Sequence, residues 1–260
     1  MVPDVPPGVS IPGAWGSGAA MSEPTMDAPP PALLDEVVAA TARLLSTVDG
    51  LGEPALRGPS LLPGWSRAHV LTHLARGADS RVRLLDSARL GVPIRQYPDE
   101  RTREREIEEG SARPRAAIVA DLHVSADRLA DAVASHPADR WGRPVLWLGD
   151  RERPVDGVVS SRIQELEMHH VDLAAGYRYG DWPRWFVAGA MPGVVHTMRD
   201  LADLTLDATD TGTLYRLRTG TARTVHGPLN ALFAWLTGRS DGADLAVDPP
   251  GTLPEPPPWK

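Results

Sequence analysis

From Ala32 onward, apolar residues return every three or four positions. Leu33, Leu34, Val37, Val38, Leu44, Leu45 and Val48 fall on one face, Thr41 fills the middle step, and Gly50 ends the run. This predicts a first helix. A break at Pro63-Gly64 is followed by Trp65 and by Ser66, a good N-cap, and then by a second stripe of Val70, Leu71, Leu74, Ala78, Val82 and Leu85 that stops at Gly91 and Pro93. Asp99 to Glu109 is charged, with interspersed signs that suit a solvated face. Ile118, Leu122, Ala126, Leu129 and Val133 mark a third helix, closed by His136-Pro137. A short Trp-containing segment, Trp141 to Leu148, reads as a loop or strand over a bundle end. Val158, Val159, Ile163, Leu166, Leu173 and Ala174 set a fourth helix, ended by Gly176 and Gly180.

Beyond Trp182-Pro183 the texture changes. A helix is expected around Phe186 to Leu201, strands at Leu204 to Ala208 and Leu214 to Leu217, a helix from Gly227 to Trp235 and a last strand at Leu245 to Val247. The expected organisation is therefore mainly α: a helical bundle over residues 32–180, then a small α+β domain over residues 181–260. Residues 1–31 are rich in Pro, Gly, Ser and Ala without an apolar period and are expected to be a disordered extension, inside which Met21 and Met26 offer later starts.

Composition narrows the function. With 260 residues and 42% hydrophobic content the chain can bury a full core. A formal charge of -7 argues against nucleic acid or an anionic membrane as partner, both of which need a basic face. A small-molecule substrate fits better. No apolar run reaches the roughly 18–20 residues of a membrane span, and the N-terminus lacks a secretory pattern, so the cytoplasm is the expected compartment. Cysteine is absent, which leaves His, Asp and Glu as metal ligands and removes any cysteine nucleophile.

The chemistry concentrates in Glu165-Leu166-Glu167-Met168-His169-His170. Glu165 and His169 lie four apart, share a helix face and can grip one cation. His73, beside the apolar stripe of the second helix, can face them across a bundle. Three N/O ligands with a free position is the pattern of a catalytic metal. Spacing alone leaves other sets open: His69 with His73, Glu167 with His170, or a solvated Glu/His pair worth a few tenths of a kcal/mol.

Three segments, LLPGWSRAHVLTHLARGAD, RIQELEMHHVDLAAGYRYGDWP and GPLNALFAWLTGR, stand in an order and spacing that resembles the mycothiol-dependent maleylpyruvate isomerase family, a branch of the DinB-like metal-binding four-helix bundles. The likeness covers about residues 32–260. It implies His73, Glu165 and His169 as ligands of a divalent metal, zinc by donor type, with His170 outside the set. Asp172, about one turn past His169, is read either as orienting an imidazole or as an exposed carboxylate at the helix end. The resemblance also implies a substrate-binding arginine in the C-terminal domain, for which Arg239 is the match, with Arg218 and Arg223 nearby. The implied activity is cis-trans isomerisation of maleylpyruvate by addition of a mycothiol thiolate, bond rotation and elimination. The alternatives are a mycothiol S-transferase, which shares the metal and thiol, and a non-catalytic binding module whose Trp141/Trp147 and Trp182/Trp185 pairs line a ligand surface.

Overall fold

In the computed structural model, residues 29–219 and 222–257 are described. They divide into two compact units, the first running to Gly176 and the second starting at Tyr177. The expected N-terminal extension lies outside the described residues as far as Ala28, and Pro31 already opens the first helix.

The first unit contains α1 (Pro31–Asp49), α2 (Glu53–Arg57), α3 (Arg67–Leu90), α4 (Glu100–Ser111), α5 (Arg115–Ala134), the hairpin β1 (Pro144–Trp147) with β2 (Arg151–Pro154), and α6 (Gly157–Asp172). The four periodic stretches are α1, α3, α5 and α6, and they form the bundle. α3 is its hub, packing against α5, α4 and α6, while α1 lies along α6 and α5. Leu44, Val48, Leu71, Leu74, Ile118, Leu122 and Leu166, each at most 1% exposed, fill the space between them. Because α3 has neighbours on several sides, its buried positions run nearly all round: Thr72, His73, Ser80 and Arg81 are buried along with its leucines and alanines. A helix buried on several faces has to satisfy every polar group it carries into the interior. That requirement builds the site described below.

The start of α3 is set by Ser66, whose side chain accepts from the backbone N–H of His69. The His69 ring closes the loop by accepting from the Ser66 backbone N–H at 3.2 Å. This is a capping box with imidazole in the place usually held by a carboxylate or amide, and a cap of this kind contributes about 1 kcal/mol. At the other end Gly91 takes φ 70°, the left-handed conformation that closes a helix at little cost for glycine.

The charged stretch after Asp99 is the helix α4, capped by the Asp99 carboxylate accepting from Thr102 N–H at 2.7 Å. Only Ile107, Gly110 and Ser111 of it are buried, so it has no apolar period long enough to register in the sequence. Gly110 decides where it sits. A Cβ there would come within 2.4 Å of the Thr72 methyl, so the missing side chain lets α4 rest directly on α3 one residue from His73.

The second unit holds α7 (Arg184–Thr197), β3 (Leu204–Ala208), β4 (Thr213–Leu217), β5 (Arg223–Gly227), α8 (Leu229–Leu236) and β6 (Ala246–Asp248). Its sheet runs β4-β3-β5-β6, with β3 parallel to β5 and the other two pairings antiparallel. β5 was not anticipated, since Arg-Thr-Val-His-Gly shows one buried valine and little else apolar. Trp182, Phe186 and Phe233 meet edge to face, with Trp182 5.3 Å from Phe233 between centroids. Trp141, Trp182 and Trp185 are all under 8% exposed, which makes these rings packing material of their units and not an open surface. Among the described residues no helix is long and apolar enough to cross a membrane.

Candidate metal centre

α3 and α6 bring His73, Glu165 and His169 together. His73 Nε2 lies 3.1 Å from His169 Nε2 and 3.6 Å from Glu165 Oε1. A tetrahedral ion with bonds of about 2.0–2.1 Å would space its ligand atoms roughly 3.3 Å apart, a value these two separations straddle. The rings meet edge-on, 88° between planes, with centroids 4.7 Å apart. Trp65 closes one side, its ring 5.7 Å from that of His73. Among the described residues no group of three or more His, Cys, Asp or Glu side chains stands close enough together to hold a metal ion as placed. What the fold supplies is two of the three separations at suitable length, between side chains of a kind that bind divalent ions.

Neighbouring groups hold each donor in place. Asp172, 1% exposed, lies 2.8 Å from Nδ1 of His169 and accepts that proton, which leaves the Nε2 lone pair turned inward. Glu165 is held through one oxygen only: Oε2 accepts from Arg81 Nη1 at 2.8 Å and from Arg162 Nη1 at 2.7 Å, leaving Oε1 toward His73. Both arginines are themselves anchored. Arg162, 2% exposed, also donates to the Leu74 carbonyl at 2.8 Å, and Arg81 donates to the Gly77 carbonyl and to Ser161. Gly77 makes room for the carboxylate, since a Cβ at that position would stand 2.4 and 2.6 Å from its two oxygens.

This setting has definite electrostatic consequences. Burial disfavours the charge on Glu165, but Arg81 and Arg162 outweigh it and hold the carboxyl down at about 2. Burial, with His169 beside it, pushes His73 down to about 3, so its ring is neutral and available as a ligand at pH 7. The sign for stability follows from which state takes protons first. As pH falls below the ordinary histidine value of 6.5, the unfolded chain protonates His73 and the folded one does not, so stability is lost from about 6.5 down to about 3; Glu165 adds a loss from 4.5 down to about 2. Chelator-treated protein is therefore expected to show a urea midpoint that falls steadily from pH 7 to pH 5. His73→Asn should flatten that fall, and an equally steep fall in the variant would contradict the assignment.

The competing sets are occupied elsewhere. His69 serves the cap of α3 and lies 3.1 Å from Glu108. Glu167 pairs with Arg43 and His170 contacts Thr47 Oγ1 at 2.8 Å, both of them on the side of α6 that faces α1. Arg239 lies in the second unit, just past α8, where its Nη1 donates to the Thr237 carbonyl at 2.7 Å. Of its alternatives, Arg223 reaches the Thr252 carbonyl and Arg218 sits at a turn with φ 58°. Arg81, Arg162 and Gly77 were missed by the sequence reading. Their signal was available in spacing: Gly77 and Arg81 follow His73 by four and eight residues on one helix face, and Arg162 precedes Glu165 by three.

Comparison with known proteins adds to the geometry. No curated protein matches the chain. Two solved structures, that of the mycothiol-dependent maleylpyruvate isomerase and that of a histidine-to-alanine mutant of it, align with a TM-score of 0.80 at 24% identity, covering 88% of this chain and 96% of theirs. They share its fold. A family model described as the mycothiol maleylpyruvate isomerase N-terminal domain matches residues 37–174, more than half of the chain and all of α3 and α6, and the protein therefore belongs to that family.

Proposed function

We propose that this protein is a metal- and mycothiol-dependent cis-trans isomerase acting on maleylpyruvate. The observation that carries the reading is that His73 Nε2 stands 3.1 Å from His169 Nε2 and 3.6 Å from Glu165 Oε1, two separations near those of a tetrahedral ion's ligands, in a chain of this family. The chain contains no cysteine, so the sulfur nucleophile that such an isomerisation uses has to come from a thiol cofactor. A divalent ion bound by these three donors, zinc by their type, would supply the positive charge that favours the thiolate of that cofactor.

The remaining contributions belong to the chain itself. Asp172 keeps the His169 proton on Nδ1 and so keeps Nε2 free to bind a cation. Arg81 and Arg162 keep Glu165 ionised and occupy Oε2, so that Oε1 would be the oxygen offered to a cation. Trp65 excludes water from one side of the imidazoles. Arg239 is proposed to hold a carboxylate of the substrate through paired N–H donors.

Purified protein incubated with mycothiol and maleylpyruvate is expected to release fumarylpyruvate, and turnover should stop with chelator or without the thiol. Accumulation of a stable thiol adduct in place of fumarylpyruvate would identify an S-transferase. Turnover indifferent to both thiol and chelator would overturn the proposal.

A further inference from the structure

The two imidazoles of the centre are supported unequally. His169 gives its Nδ1 proton to Asp172, but the group facing Nδ1 of His73 is the guanidinium of Arg103 on α4, with Nη2 at 3.3 Å. A guanidinium only donates. With no cation present the arrangement is consistent, since Nδ1 of His73 accepts from Arg103 and Nε2–H points to Nε2 of His169 at 3.1 Å. Once His73 Nε2 gives its lone pair to a cation, the single ring proton has to reside on Nδ1. Two donors then face each other across 3.3 Å, and neither can accept.

A metal-bound imidazole normally gives its second N–H to a carboxylate, a carbonyl or water. Among the described residues His73 has no such acceptor at Nδ1, whereas His169 has Asp172. Nor does Arg103 have an anion of its own: among the described residues its contacts are His73 Nδ1 and the face of Tyr97, 5.8 Å from Cζ, and no carboxylate pairs with it. Tyr97 is itself 7% exposed, so it forms a fixed surface that aims the guanidinium at the centre. Around the donor set, Arg81, Arg103 and Arg162 outnumber Glu165 and Asp172 before any cation is counted. The loaded centre is therefore short of negative charge and short of one acceptor at a defined place.

We propose that Arg103 and the Nδ1 edge of His73 form a carboxylate subsite, which takes one end of a dicarboxylate substrate when the cation is bound. One carboxylate oxygen accepts from His73 Nδ1–H and from Arg103, and the other takes a second N–H of the same guanidinium. Maleylpyruvate carries a carboxylate at each end, and Arg103 would bind one of them. The inference rests on the metal centre proposed above, and it links the two occupancies: the anion finds its second donor only in the loaded protein, so by reciprocity the anion must also tighten the cation.

The test uses maleate as the probe and the full chain loaded with zinc. Calorimetry should show maleate binding to the loaded wild type more tightly than to the metal-free protein, and at least about tenfold more weakly to Arg103→Met, in which a charge-assisted pair is lost. Zinc content should remain one per chain in that variant, because Arg103 is not a ligand. Arg103→Lys, with the charge but without the fork, should fall between. In chelator competition maleate should raise zinc affinity in the wild type and do so less in Arg103→Met. With maleylpyruvate, KM should rise more than kcat falls. Equal maleate affinity in wild type and Arg103→Met overturns the subsite while leaving the isomerase reading intact. Persistence of the full maleate effect on zinc in Arg103→Met would mean that the anion sits on the cation alone, which also overturns it. A wild type that takes up no zinc defeats the metal centre itself, and this subsite with it.

Discussion

His169→Ala is expected to leave the protein unable to retain a divalent ion and without measurable turnover, while its far-UV circular dichroism stays that of the wild type. The ring is partly exposed and its Nε2 is one of three converging donors, so its loss leaves two, too few to hold an ion against solvent. The effect should exceed the roughly 10–100-fold loss in metal affinity typical of changes one shell further out. Asp172→Asn provides that comparison, because it weakens the acceptor at His169 Nδ1 without removing a ligand. Metal analysis after dialysis checks both. Stoichiometric ion in His169→Ala would show that the donor set is different.

Arg162→Met is expected to produce the largest loss of stability of any single change at the centre. Arg162 is buried, and its Nη1 is shared between the Leu74 carbonyl on α3 and Glu165 on its own helix. Removing one partner of a buried ion pair leaves an uncompensated charge and typically costs about 3–5 kcal/mol. At roughly 2–4 °C per kcal/mol for a protein of this size, the midpoint of thermal unfolding should fall by about 10 °C. Arg81 still contacts Glu165, which places the cost toward the lower end. A fall under about 2 °C would mean that Arg162 neither compensates Glu165 nor ties α6 to the Leu74 carbonyl of α3. Methionine keeps much of the side-chain length, so the change reports lost charge and hydrogen bonds more than lost volume.

The bundle helices were visible in the sequence, and so were the residues of the candidate triad, but for different reasons. α1, α3, α5 and α6 each bury a continuous stripe, and a stripe at helical spacing is visible one residue at a time. The triad was not visible in that way. Spacing left His69, Glu167 and His170 as open as His73, Glu165 and His169, and it was the family resemblance that chose among them. His69, Glu167 and His170 turn out to be engaged with Ser66, Arg43 and Thr47. α4 was read only as a charged surface, because it rests on α3 through a glycine and has almost no apolar face of its own.

The order of apolar positions along the chain was enough to determine the helices, because each helix needs only its own period to exist. The same order placed Glu165 and His169 on one helix face, since four residues make about one turn. Tertiary structure alone decided that His73 meets them, that Arg81 and Arg162 converge on one oxygen of Glu165, and that Arg103 arrives from a separate helix. These are contacts between segments tens of residues apart, and they form because charge carried into the interior by a helix buried on several sides must find its partners there.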